Sequence, residues 1–147
     1  MTYTEAKDEL YGIVLAAIND GIDSAAVPAI EMRWPGVPII ASPPNDGYWG
    51  RVFYTTVRDV QASLAKNKGV SRYSALGQLI VQIYSPVSIV GSIDNGNLLA
   101  ELVRNYFRRP SPSGVLSFTN QQVREVGNTD THYQTNVMVE CHYDNYQ

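Results

Sequence analysis

Two histidines and one cysteine are the only side chains here suited to soft-metal ligation or nucleophilic pairing, and their placement argues against both. Cys141 and His142 are neighbours in a segment that reads as a strand, so their side chains point to opposite faces and cannot share a metal or form a thiolate–imidazole pair. The pattern reads as a buried structural cysteine beside a surface histidine. Asp130-Thr131-His132 is too local to be a serine-type triad, and no Gly-x-Ser-x-Gly elbow occurs. Gly91-Ser92-Ile93-Asp94-Asn95-Gly96 carries two glycines at the spacing of a phosphate loop. Asn97 and Leu98 stand where Lys and Ser or Thr would have to reach phosphate and magnesium, so the segment reads as the start of a helix. Asp94, Asn95 and Asn97 also lack the acidic pattern of a calcium loop. No catalytic, cofactor-binding or metal-binding residue is assigned.

Arg104, Arg108 and Arg109, interleaved with Tyr106 and Phe107, leave three readings open. They form a basic–aromatic nucleic-acid surface, or they complement a helix C-terminus while the aromatics enter the core, or they meet an acidic face of a neighbouring copy. Lys66, Lys68 and Arg72 cluster at a polar turn, where they are solvated or contact a partner.

The elements that must position these residues follow from periodicity. Thr4 to Asp20 reads as a helix, with Ala6, Leu10, Ile13, Val14, Ala17 and Ile18 at spacings of three and four, a Thr2/Glu5 capping box, and Gly21 as its stop. Gly12 inside it costs up to ~1 kcal/mol against alanine, so it either faces a close neighbour or marks a bend. Ala29 to Trp34 is a short strand, and Pro35 to Gly47, with four prolines and two glycines, is a long connection of the kind that often binds. Tyr48 to about Ala65 and Arg72 to Tyr84 form a long hairpin, whose second strand puts Ala75, Gly77, Leu79, Val81 and Ile83 on one face. Its other face is half apolar, as expected of a sheet covered by helices on one side and by a neighbouring subunit on the other. Ser85 to Ser92 is a loop with an apolar middle. A second helix runs from an Asp94 N-cap to Arg109, with Leu98, Leu99, Leu102, Val103, Tyr106 and Phe107 on one stripe. Strands Val115 to Val126 and about Thr131 to Asp144 close the chain. The result is one α+β domain over residues 1–147, a mixed or antiparallel sheet packed against two helices in the order α-β-β-β-α-β-β.

With 147 residues and 44% apolar side chains, the chain can bury a core without disulfides, and its single cysteine favours a reducing compartment. No apolar run approaches ~18 residues, and the acidic start is not that of a signal peptide, so a soluble protein without a membrane partner is expected. The net charge of −3 hides an uneven distribution: −5 over residues 1–46, +5 over 47–109 and −3 over 110–147. Acidic and basic faces on one subunit suit head-to-tail contacts between copies, while net acidity speaks against nucleic-acid capture.

In this order, the amphipathic helix from Thr4-Glu5-Ala6, the strand Ala29-Ile30-Glu31-Met32, the Pro-rich link into Tyr48-Trp49-Gly50-Arg51-Val52, and Gly77-Gln78-Leu79-Ile80-Val81-Gln82-Ile83-Tyr84 resemble the tail terminator proteins of long-tailed bacteriophages. A helix ending Asn105-Tyr106-Phe107-Arg108 and a closing hairpin ending Val137-Met138-Val139-Glu140-Cys141-His142-Tyr143 extend the resemblance over nearly the whole chain. It implies a non-enzymatic virion protein, assembled in the host cytoplasm, that forms a homohexameric ring on the last ring of tail-tube protein. Such a ring stops polymerisation and meets the head connector or neck protein, with DNA passing through its channel without specific binding. The tip residues Lys66, Lys68 and Arg72, the arginines at 104, 108 and 109, and Trp34, Tyr48 and Trp49 flanking the Pro-rich link are the expected contact residues. The alternatives are a neck or head-closure protein, a small nucleic-acid-binding domain, or a small enzyme.

Overall fold

The capping box opens the first helix as its sequence dictates: Glu5 N–H donates to the Thr2 hydroxyl at 3.2 Å, and Thr2 N–H donates to the Glu5 carboxylate at 2.7 Å. The computed structural model describes residues 1–24, 27–38, 42, 44–63 and 69–147. Helix α1 spans Tyr3–Asp23 and is followed by β1 (Ile30–Arg33), β2 (Tyr48–Ser63), β3 (Arg72–Pro86), α2 (Ser92–Tyr106), β4 (Ser117–Asn128) and β5 (His132–Tyr146). The strands form one five-stranded sheet in the order β1-β2-β3-β5-β4, with β1 parallel to β2 and the other neighbours antiparallel. This is the expected α+β fold with a mixed sheet.

Alternation along β2, β3 and β5 places one side chain in two under the helices. Val52, Val81 and Val137 lie side by side in register, and Tyr54, Leu79 and Val139 form the next rank, all buried. Ala6, Leu10, Val14 and Ala17 of α1 and Leu99, Ala100 and Val103 of α2 close over them in one core. On the reverse face no helix is packed among the described residues. Phe53, Ile80 and Met138 form an apolar rank there, flanked by Arg51, Gln82 and Asn136 on one side and Thr55, Gln78 and Glu140 on the other, all at least partly exposed.

Three helix boundaries differ from the periodicity reading. Helix α1 continues past Gly21 because that glycine is buried where a Cβ would strike Leu102 and Val27, so it serves close helix packing rather than termination. Gly12 faces open space and is neither a close contact nor a required bend. Helix α2 starts after Gly91, whose φ of 77° turns the chain in, so Asp94 lies in the first turn and is not the N-cap. The same helix ends at Tyr106, leaving Arg108 and Arg109 beyond its last turn, and Leu98 stands half exposed off the buried stripe. The expected end of the first hairpin strand near Ala65, the tip lysines and part of the Pro35–Gly47 link lie outside the described residues.

Two glycines give opposite expectations. Gly12→Ala gains about 0.5–1 kcal/mol because the new methyl meets nothing, whereas Gly77→Ala loses about 1–3 kcal/mol because its Cβ would collide with the Tyr54 ring. Urea denaturation of the two variants beside the parent protein checks both signs.

Candidate functional site

The residues singled out in the sequence fall into three separate regions. At the β1 end of the sheet, Trp49 stacks flat on Tyr84 across the β2–β3 pair, with ring centroids 4.1 Å apart and planes within 5°. His132 meets both rings edge-on at 6.3 and 6.4 Å. The Arg33 guanidinium lies 5.6 Å from the Trp49 ring. Tyr48 is half-buried with its hydroxyl 3.5 Å from the Ser92 carbonyl, and Trp34 packs on Tyr11 of α1 at 5.7 Å. All three expected contact aromatics are thus engaged inside the subunit.

His132 is the residue that sequence reasoning missed at this end. It is buried, its Nε2 donates to the Gly47 carbonyl at 3.0 Å, and its Nδ1 lies 2.8 Å from the Thr131 hydroxyl. A carbonyl can only accept, which fixes the proton on Nε2. The ring therefore ties the end of the Pro-rich link to the start of β5. Only the shift from polar turn to strand at Thr131 hinted at this.

The basic stripe divides in the second region. Arg104 is half-buried, with its Nε unpaired among the described residues. Arg108 and Arg109 are exposed, and Arg109 lies 4.0 Å from the Tyr106 ring centroid. Neither is ion-paired among the described residues; the ion pairs there join Arg33 to Glu31 and Arg72 to Asp144. The Tyr106 hydroxyl donates to the Asp20 carboxylate, and that bond raises the tyrosine's pKa. Beside this cluster, Gly12, Ile13 and Ala16 of α1 floor a groove of about 430 Å³ whose other wall is Tyr106, Pro110 and Pro112. Glu9 holds that wall in place by accepting from the Ser113 N–H and hydroxyl at 3.1 and 3.0 Å.

In the third region, at the hairpin tip, Arg72 is exposed and lies 3.9 Å from Asp144, while Lys66 and Lys68 are outside the described residues. The three regions do not converge on one centre. No group of three or more metal-ligating side chains occurs among the described residues. No described helix is long and apolar enough to cross a membrane. His142 and Cys141 face opposite sides of β5 as expected, with Cys141 fully buried.

No family model matches this chain, and no curated protein does. Solved structures do match. One, whose name describes no function, is 15% identical over 90% of this chain and 94% of its own, with a TM-score of 0.46.

Cys141 sits under the Tyr54 ring in the core, and burial pushes its thiol up from 9.0 to about 11. The folded state holds this proton more tightly than the unfolded chain. The associated stability is complete below pH 9 and is lost as the pH rises toward 11. Burial raises Tyr54 and Tyr143 as well, which steepens the loss at the alkaline end. Urea midpoints are expected to fall over this range, less steeply in Cys141→Ala. At pH 8 the native thiol is expected to react with an aromatic disulfide reagent at least about 100-fold more slowly than in unfolded protein.

Proposed function

We propose that this chain is a structural subunit that assembles as a ring on the end of a phage tail tube, ends tube growth and presents its opposite side to the head connector. The observation that carries the reading is the one-sided burial of the sheet. Two helices seal one face, and among the described residues no helix packs on the other, four strands wide, where the Trp49–Tyr84–His132 cluster and Gly47 cover one end only. Its central apolar rank of Phe53, Ile80 and Met138 lies between rows of amide and charged side chains. A face of that composition stays soluble in a free subunit and still offers apolar contact to a partner. The element order agrees with the layout on which the resemblance to tail terminator proteins rests.

The mechanism needs no chemistry. A tube grows because each ring leaves an end that accepts the next. A subunit that matches that end but exposes a different surface outward occupies it and accepts no further tube ring. The open sheet face is the surface assigned to the tube. A net charge of −3 keeps the ring from capturing the DNA that must pass through it.

Purified tail-tube protein polymerised with and without this protein tests the reading by negative-stain imaging. Density on one end of each tube, with tube length fixed by the time of addition, is the expected result. Tubes that lengthen unaffected, with the protein instead sedimenting with DNA at low salt, would overturn it and make the exposed arginines the working site.

A further inference from the structure

The loop between β3 and α2 is apolar where a loop should be polar. Val87, Ile89 and Ile93 are more than a third exposed, and Val90 is 101% exposed. Its backbone is not loose: Val87 N–H donates to the Thr131 carbonyl, Ile89 N–H to Pro86, and Ser92 N–H to Ile89, while the Ser92 hydroxyl bonds the Pro86 carbonyl. A pinned loop that holds aliphatic side chains in water has a cost with no return inside the subunit. Asp94, in the next turn, borders this patch and is exposed without an ion pair among the described residues.

The groove over Gly12 and Ala16 has the opposite character. It is concave and apolar, its walls are fixed by the Glu9–Ser113 and Tyr106–Asp20 hydrogen bonds, and its rim carries Arg109. Its volume of about 430 Å³ lies within the range of sites that bury a small ligand. Gly12 keeps it open, since any side chain there would project into free space. Loop and groove lie at opposite ends of α2, separated by 15 helical residues, or ~22 Å. They therefore cannot meet within one chain.

We propose that the Val87–Val90 loop of one subunit seats in the Gly12/Ala16 groove of a second copy of this chain, with Asp94 of the first facing Arg109 of the second. Apolar projection meets apolar groove, and an acid meets a base, neither of them ion-paired among the described residues. Because the two surfaces differ, the contact is head-to-tail and propagates from copy to copy until it closes. It deepens the ring reading and rests on that reading only for closure.

The test is a double variant, Val90→Cys with Ala16→Cys, both exposed positions, oxidised with diamide at millimolar protein and resolved on a non-reducing gel. A ladder of dimer, trimer and larger species is expected, at least about ten-fold more abundant than products of either single variant. Adding Asp94→Arg should cut the ladder about ten-fold, and Arg109→Asp in the same chain should restore it. Adding Gly12→Leu, which fills the groove without disturbing the core, should abolish it. A double variant that gives no more product than the singles would overturn the proposal and leave the groove to another occupant, such as a small apolar ligand. A ladder from protein that ignores tail tubes would uphold the contact and overturn the tube reading. Capped tubes without a ladder would do the reverse.

Discussion

A five-stranded sheet has two faces, and the described helices cover only one of them. The buried apolar ranks Val52–Val81–Val137 and Tyr54–Leu79–Val139 point toward α1 and α2 and are the floor on which both helices rest. Burying one side chain in two gives the strands their strict alternation and leaves the other half to be soluble. The amide-rich rows around Phe53, Ile80 and Met138 meet that second demand.

The same one-sidedness explains where the polar side chains under the helices go. Thr135, buried on the helical side, donates to Asn97 at 3.0 Å, and Asn97 passes the interaction to Glu125 at 2.6 Å, so α2 is fixed to β5 and β4 by a satisfied chain that ends in solvent. Gly96 lets α2 approach Ser85 closely, and Gly77 gives the Tyr54 ring its place beside Cys141. On the face opposite the helices, the Trp49–Tyr84–His132 cluster packs across one end of β2, β3 and β5. Among the described residues, the apolar loop and the groove are left facing solvent without such a role.

Much of this was legible in the residues. The alternation of Ala75 to Ile83 and of Tyr133 to Tyr143 specified the core faces, because period two has no other solution once one face is buried. The capping box at Thr2 is legible because its partners lie three residues apart. Signals that depend on distant contacts were not legible. Gly21 looks like a stop, yet it is a packing site for Leu102 and Val27, and Asp94 looks like an N-cap because sequence does not reveal the left-handed turn at Gly91. Composition also does not show that Trp34, Tyr48 and Trp49 each find a partner inside the subunit. The groove was illegible altogether, since its walls are 90 residues apart in sequence and its one local sign, an exposed glycine in mid-helix, has no fixed meaning.

Met138 offers the most direct measurement of the central claim, that the open sheet face is a docking surface. It lies half-buried in the middle of that face, whereas Met32 lies on β1 packed against the core cluster. Hydrogen peroxide converts exposed methionine to sulfoxide, and mass spectrometry reads each site separately. The account predicts that adding tail tubes slows oxidation of Met138 several-fold while Met32 keeps its rate. Equal Met138 oxidation with and without tubes would contradict it.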